Sequence, residues 1–208
     1  MVKNIIKGIL ILCGIGLVIY IGYVVMFISA FGGFDKDYSV TELKENFEKN
    51  KIEIYELKKY FNEIVPKNRF VEIEFDNDNT LTRFQIKPLD KTAGDPNGLS
   101  FLEWDLKINT ERMDRIIKPM GWTKENLKVL KEKLDNANCI QIESGEPTKI
   151  GFQRSGMGIY SFNIFEDTIP YGLKKNYNDS CTYIMVNDKL VLEYNGGAIG
   201  IQCFYNKK

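Results

Sequence analysis

The chain of 208 residues contains no histidine. That absence removes the usual general base near neutral pH, the histidine that activates serine and cysteine nucleophiles, and histidine-ligated zinc. Cysteine is also scarce, and Cys13, Cys139, Cys181 and Cys203 form no C-x-x-C pair. A zinc ribbon or a redox-active dithiol is therefore not expected. The sequence predicts no cofactor and no bound metal.

An excess of charge of either sign is missing too, with 28 Lys and Arg residues against 28 Asp and Glu residues. Lys3 and Lys7 are the two charged residues before Asp35, so 28 minus 2 leaves 26 basic and 28 acidic residues in the remainder, a net charge of −2. That balance implies no basic face, and lysine outnumbers arginine, the side chain suited to bidentate phosphate recognition. Nucleic acid is therefore not an expected partner.

What the sequence does contain is one uninterrupted apolar run. Residues 8–34 carry no charge and are bounded by Lys7 and Asp35. About 20 apolar residues in a helix cross a hydrocarbon core of roughly 30 Å, and a helix satisfies its own backbone polar groups there. The sequence therefore predicts a tail and transmembrane anchor over residues 1–34, which contacts the membrane through residues 8–34, and one soluble domain over residues 35–208.

A cleaved signal peptide and a lipid anchor are the alternatives to a retained span. A signal peptide has an apolar region of about 7–15 residues, and this run is longer. Lipid attachment at Cys13 normally requires a small residue before the cysteine, and Leu12 stands there. Lys3 and Lys7 in the short tail favour a cytoplasmic N-terminus under the positive-inside rule, so the domain is expected on the extracytoplasmic side.

The soluble domain is expected to begin with a long helix. Ser39 opens a capping-box pattern, and Pro66 ends the helix. Its apolar residues recur in steps of three and four, with Asn50 in the one gap, which is typical of an amphipathic helix on a sheet or of a short coiled coil. Two further helices are predicted, over residues 110–118 and 123–136.

Alternation of apolar and polar residues predicts β-strands, and Asn-, Asp- and Gly-containing turns between them predict hairpins. The strands are expected at residues 70–75, 81–86, 101–108, 139–142, 149–154, 157–165, 182–186, 190–194 and 201–205. Such alternation is typical of half-solvated antiparallel sheets. The predicted fold class is α+β, an N-terminal transmembrane helix followed by one mainly antiparallel sheet domain with a long N-terminal helix and two further helices. Trp104 and Trp122 are expected in its core.

The segment Asp76–Thr80 reads Asp-Asn-Asp-Asn-Thr and follows a strand-like run. It resembles the first motif of the haloacid-dehalogenase-like phosphatases, D-x-D-x-T. The resemblance implies that Asp76 is a nucleophile and Asp78 a general acid beside magnesium. It covers these few residues alone, and Glu72 and Glu74 interrupt the preceding strand, which is buried and parallel in that family. A polar hairpin turn uses the same Asp and Asn residues.

Glu72, Glu74, Asp76 and Asp78 alternate along the chain, so they share one strand face if the strand extends that far. Paired carboxylates bind calcium or perform acid–base chemistry, and these four are the candidates for a metal or acid–base site. A solvated strand face has the same composition. The Gly-rich segment 196–200 predicts a turn or bulge, because no helix follows it to hold a phosphate.

Cys181 and Cys203 are predicted to form a disulfide. Cys181 precedes the hairpin over residues 182–194, and a chain that returns along this hairpin brings Cys203 close to it. The prediction requires an oxidising compartment, where disulfides persist. Cys139 is then a buried free thiol. The alternative is that all three are reduced core residues.

These features favour a single-pass, membrane-anchored module of the cell envelope that is non-enzymatic and binds a protein or a small molecule. Two alternatives belong to other classes: a magnesium-dependent hydrolase that uses Asp76 and Asp78, and an immunity-type or structural envelope protein. A hydrolase is expected to hold the two carboxylates in a concave pocket, whereas a binding module is expected to leave them at an exposed hairpin tip.

Overall fold

The apolar run forms the first helix of the computed structural model, α1 (Val2–Ala30). The structure describes residues 2–30, 32–89, 100–197, 200 and 202–204. A 24-residue stretch of α1, Ile6–Ser29, has a mean hydropathy of 2.6, and none of its most apolar window is buried against the rest of the chain. By length and composition it is the one described helix able to cross a membrane, a property that an N-terminal signal sequence shares.

The predicted long helix is instead two helices, α2 (Val40–Lys49) and α3 (Lys51–Ile64). Asn50 leaves the helical conformation, with φ −109° and ψ 24°, and its side-chain amide donates a hydrogen bond back to α2. Helix α2 begins with the predicted capping box. The Ser39 hydroxyl accepts a hydrogen bond from the Glu42 amide, and the Glu42 carboxylate accepts one from the Ser39 amide. The apolar side chains that suggested a coiled coil are instead buried in the domain's own core: Leu43, Phe47, Ile54, Leu57 and Phe61.

In the part of the chain that the structure describes, eight strands form a single antiparallel sheet in the order β3-β2-β1-β4-β5-β6-β8-β7. Their bounds are β1 (Arg69–Asn77), β2 (Thr80–Pro88), β3 (Phe101–Lys107), β4 (Gln141–Glu143), β5 (Thr148–Ser155), β6 (Gly158–Ile164), β7 (Tyr183–Asn187) and β8 (Leu190–Asn195). The predicted α+β class and antiparallel sheet are confirmed. Of the ninth predicted strand, residues 202–204 are not in a strand and residues 201 and 205 lie outside the described residues.

One face of the sheet packs against helices and holds the main core. Opposed residues of neighbouring strands form a fully buried apolar row across it: Ile73, Ile142, Ile150, Phe162 and Leu192. The further helices α4 (Glu111–Ile117) and α5 (Lys124–Asn136) contribute buried side chains to the same core, and Trp122 donates a 2.7 Å hydrogen bond to the carbonyl of Ile64. Of the two tryptophans expected in the core, Trp122 lies there and Trp104 does not.

The junction between α1 and the domain is packed rather than loose. Gly32 has φ +71°, and a Cβ atom there would collide with the backbone of Gly156 in the β5–β6 turn. Two carboxylates a few residues further along the chain bind the same region. Asp35 accepts a hydrogen bond from the Gly156 amide at 2.8 Å, and Asp37 accepts one from the Ser155 hydroxyl at 2.9 Å. Tyr38 then packs edge-on against core rings. The exit from α1 is therefore bound to one end of the sheet.

Candidate functional site

The outer face of the sheet, the face turned away from α2, α3 and α5, carries polar and charged side chains. Directly opposed residues share a face, so the strand registers define two rows across all eight strands. The first row is Trp104, Arg83, Glu74, Gln141, Gly151, Ser161, Glu193 and Tyr183. The second is Leu102, Gln85, Glu72, Glu143, Lys149, Asn163, Val191 and Met185.

The chain covers the β7–β8 end of this face itself. After β6 the chain makes an excursion that includes the short helix α6 (Tyr171–Lys174) and returns at β7. A second apolar cluster forms there from Phe165, Ile169 and Val191, with Tyr177, Tyr183 and Met185 packed on it. Burial raises the pKa of the Tyr183 phenol to about 12, and the Glu193 carboxylate adds to the shift. What remains open is the part of the face over β1 to β5.

A cleft of about 590 Å³ occupies this open part. We call it the outer-face cleft, and its lining comprises Glu72, Arg83, Trp104, Gln141, Glu143, Lys149, Arg154, Met157, Ile159, Asn195 and Gly197. Small-molecule sites are typically concave, with volumes of about 300–1,000 Å³ and a few polar groups among apolar walls. The outer-face cleft has this size and this mixture.

Two basic side chains of the outer-face cleft form ion pairs with buried carboxylates. Arg154 binds Glu74 through two parallel hydrogen bonds, Nε to Oε1 at 2.5 Å and Nη2 to Oε2 at 2.6 Å, and Glu74 is 1% exposed. Lys149 donates to Glu193 at 2.6 Å, and Asn163 donates to the other oxygen of that carboxylate at 2.9 Å. Buried carboxylates require such partners, because an unpaired charge away from water is strongly destabilising.

The third base, Arg83, stands between an acid and an aromatic ring. Its Nη2 lies 3.3 Å from the Glu72 carboxylate, and its guanidinium lies 4.9 Å from the centre of the Trp104 ring. Gln141 donates a 2.7 Å hydrogen bond to the same carboxylate. Trp104 is 53% exposed, so a large aromatic surface borders the cleft. Of the interpretations of Glu72 and Glu74 that the sequence allowed, a solvated strand face is wrong, since both residues are buried and paired.

Glu143 is the acid of the outer-face cleft that lacks such a partner. Within the described residues no hydrogen bond and no ion pair reaches its carboxylate. Burial raises its pKa above the ordinary range; Glu72 and Glu193 add to the shift, while Lys149 and Arg83 oppose it. The three bases of the cleft are already paired with three other acids, so the outer face has one carboxylate in excess.

Three further polar atoms in the first row lack partners among the described residues. They are Arg83 Nε, Gln141 Oε1 and the Ser161 hydroxyl, and the last two lie on residues that are 6% and 0% exposed. Gly151 lies between Gln141 and Ser161 in that row, and a Cβ atom there would come within 2.8 Å of Gln141 Oε1. Buried polar atoms without partners are uncommon in folded proteins and call for an explanation.

The two aspartates of the phosphatase-like motif lie at the tip of the β1–β2 hairpin. Both are exposed, and they line different grooves: Asp76 faces the α1 junction near Asp35, and Asp78 faces α5. The side chain of Asp78 is 84% exposed and lies 3.3 Å from Lys131. The groove beside α5 is larger than the outer-face cleft, about 730 Å³, but none of the unpartnered buried side-chain atoms lies in it. The two carboxylates do not share a concave site.

The four acidic residues taken as metal candidates are dispersed in the same way. Glu72 and Glu74 lie on the outer face of β1, each paired with an arginine, and β-bulges separate them from Asp76 at the tip. Asp78 lies beyond the end of the strand. In the described part of the chain, no group of three or more His, Cys, Asp or Glu side chains is arranged to hold a metal ion.

Two of the four cysteines, Cys181 and Cys203, lie next to each other, as predicted from the sequence. Cys181 and Cys203 are joined in a disulfide in the structure, with Cα atoms 4.3 Å apart, and the Phe204 amide donates to the Cys181 carbonyl. Cys139 is buried as a free thiol, and burial raises its pKa. The oxidation state of the pair in the cell stays a prediction. The Gly-rich segment 196–200 includes two positions, 198 and 199, that lie outside the described residues.

Comparison of the chain with protein-family models, with characterised proteins and with solved structures found no match. The outer-face cleft is therefore interpreted from its own geometry. Sequence reasoning missed it: Arg83, Trp104, Gln141, Glu143, Lys149 and Arg154 come from four strands and share no local motif.

Proposed function

We propose that the protein is a single-pass membrane protein whose C-terminal domain binds a small molecule in the outer-face cleft. In this proposal residues 8–34 are a retained anchor, the N-terminus is cytoplasmic, and residues 35–208 form one extracytoplasmic, non-enzymatic domain of the cell envelope. The apolar stretch Ile6–Ser29 and the two lysines before it support the anchor and its direction.

The observation that carries the binding role is the state of the polar groups in the outer-face cleft. A polar sheet face that serves solubility alone exposes its charges to water, where pairing contributes little. Here Glu74 and Glu193 are buried, at 1% and 3% exposure, while among the described residues Gln141 Oε1 has no hydrogen-bond partner and Glu143 has no ion pair. A ligand that fills the cleft supplies the partners that these groups lack.

The packed junction between α1 and the domain also supports a binding role. Asp35 and Asp37 tie the end of α1 to the β5–β6 turn, and Met157 of that turn lines the outer-face cleft. An anchored domain with a packed junction holds its cleft at a set height above the bilayer. The arrangement suits capture of a ligand that is presented near the membrane.

The exposed and divergent positions of Asp76 and Asp78 do not favour the hydrolase alternative. Asp76→Asn is expected to leave any activity of the purified protein unchanged. Magnesium-dependent phosphatase turnover that is lost in this variant would overturn the non-enzymatic proposal.

The anchor is tested by washing membranes with alkaline carbonate, which should leave the full-length chain in the pellet. Protease added to spheroplasts should then digest the domain, since it is proposed to face outward. Release into the supernatant would contradict the anchor, and protection of the domain would contradict its orientation.

The binding role is tested by affinity capture of small molecules from an envelope extract by the full-length chain in a nonionic detergent, with mass spectrometry as the readout. Met157→Trp fills the outer-face cleft, whereas Leu173→Trp adds the same group on α6 outside the cleft lining. Enrichment that is lost in the first variant and kept in the second supports the proposal. The same enrichment in both variants, or none with the original chain, would refute it.

A further inference from the structure

The charge balance of the outer-face cleft indicates what kind of ligand is missing. Arg154, Lys149 and Arg83 each have a carboxylate within 3.3 Å. An anionic ligand would have to compete with those carboxylates for the same bases. The unmatched group is the carboxylate of Glu143, which is partly buried and has no ion pair among the described residues.

We propose that the outer-face cleft binds an organic ammonium ion, a primary amine carried on an apolar body, with the Glu143 carboxylate as its counter-ion. This assignment rests on the proposed binding role of the cleft and names the class of its ligand. A buried charge is tolerated when it is paired, so a cation beside Glu143 removes the cost of leaving that carboxylate alone.

The hydrogen-bonding groups of the cleft agree with a donor-rich ligand. An ammonium group has three donors and no acceptor. Gln141 donates its Nε2 hydrogen bond to Glu72 at 2.7 Å, and its Oε1 atom is an acceptor that no described residue donates to. Arg83 Nε is an unpartnered donor of the same cleft, but its guanidinium already pairs with Glu72 through Nη2. The Gln141 acceptor and the Glu143 carboxylate therefore still require donors, and an ammonium ion is the compact group that supplies several.

The remaining lining suits the apolar body. Met157 and Ile159 are apolar, and the half-exposed indole of Trp104 adds an aromatic surface. Aromatic faces attract cations as well as apolar groups, because the ring carries a negative face. A metal ion fits less well, since hard cations need six or more oxygen ligands and no acidic cluster of the described residues provides them.

Binding of the amine should depend on pH through Glu143. The charged groups that face it are Glu72 on β1, Arg83 on β2, Lys149 on β5 and Glu193 on β8, and their effects partly cancel. Burial is the largest influence and raises the pKa of Glu143. Protonation removes the counter-charge, so affinity should fall on acidification at a pH above the range in which an exposed glutamate titrates.

The proposal is tested by titrating the full-length chain in nonionic detergent with hexylammonium chloride, and in parallel with 1-hexanol and sodium hexanoate. These probes share one apolar body and differ in the charge of the head group. Trp104 fluorescence reports occupancy, because its indole is 53% exposed at the cleft while Trp122 is buried. We expect saturable binding of hexylammonium at least tenfold tighter than that of 1-hexanol, and no binding of hexanoate.

Glu143→Gln should weaken hexylammonium binding at least tenfold and abolish its pH dependence, with the melting temperature measured to verify folding. Glu45→Gln is the matched control, since Glu45 is exposed on α2 and far from the outer face. Equal affinity for hexylammonium and 1-hexanol, or unchanged hexylammonium binding in Glu143→Gln, would overturn the ammonium assignment. Cleft-dependent capture from the extract together with failure of hexylammonium would reject the assignment and leave the binding role intact. Glu143-dependent hexylammonium binding without any captured ligand would support the ammonium preference of the cleft and reject capture of a natural ligand from the envelope extract.

Discussion

Removing Arg154 should be among the most destabilising changes on the outer face, although this side chain is itself partly exposed. Arg154→Met keeps an unbranched, mostly aliphatic stem, removes the guanidinium and leaves the Glu74 carboxylate, 1% exposed, without its two hydrogen bonds. Breaking a buried ion pair by removing one partner costs about 3–5 kcal/mol. Because the Arg154 side chain is 35% exposed, water can partly replace it, and we expect the lower end, about 3 kcal/mol.

Substitution of the partner carboxylate, Glu74, should be less destabilising than loss of Arg154. Glu74→Gln leaves a partly solvated arginine and should cost about 1.5 kcal/mol, the range for a hydrogen bond to a charged group. In the double variant no buried charge remains, so it should be more stable than Arg154→Met alone, with a coupling of roughly 2 kcal/mol. A matched exposed pair, Lys124 with Asp114, supplies the control: Lys124→Met should change the stability by less than about 1 kcal/mol.

Urea unfolding of the full-length chain in detergent, followed by the fluorescence of buried Trp122, measures these differences. With a slope near 2 kcal/mol per molar, a loss of 3 kcal/mol moves the midpoint by roughly 1.5 M. A shift of the Arg154→Met midpoint no larger than that of Lys124→Met would refute the claim that Glu74 is a buried charge held by one guanidinium. A double variant less stable than Arg154→Met would refute it as well.

Three further predictions concern stability. Ser39→Ala removes the hydroxyl that caps α2 and should cost about 1 kcal/mol by the same urea assay. Peptide mapping without reductant should recover Cys181 linked to Cys203, and reduction should lower the stability by about 3 kcal/mol for a loop of 22 residues; two freely alkylated thiols would contradict it. Burial raises the pKa of Glu143 in the folded chain, so its ionisation opposes folding in full above that pKa; the penalty shrinks as pH falls below it and is absent below the pKa of the unfolded chain. Glu143→Gln should therefore raise the melting temperature at pH 7, and an unchanged or lower value would contradict the burial of its charge.

The elements of the fold could be predicted because their signals are local. Strand alternation and turn residues located the β1–β2, β5–β6 and β7–β8 hairpins, and caps such as Thr110 located the short helices. The break at Asn50 could not be predicted, because the apolar spacing continues through it and the conformation depends on how α2 and α3 pack on the sheet. Trp104 was misplaced for a related reason, since β3 is an edge strand and its outer face has no covering layer.

The outer-face cleft could not be predicted because its chemistry depends on register between distant strands. Alternating Glu72 and Glu74 are typical of a solvated strand, and nothing near them in the sequence indicates that they are buried. Their partners come from elsewhere: Arg83 from the next strand and Arg154 from β5, 80 residues beyond Glu74. In these ion pairs Glu72 and Glu74 are buried although no apolar layer covers this part of the outer face.

An excess of one acid in such a network has no sequence signature at all. The net charge of the domain says nothing about which carboxylate lacks a base, because surface charges far outnumber those of the cleft. Only the pairing of β4 with β1 and β5 places Glu143 opposite Glu72 and Lys149, and Lys149 pairs with Glu193 at 2.6 Å, so Glu143 has no ion pair with any described base. The ligand preference we assign to the cleft therefore arises from the order of the strands rather than from any residue taken alone.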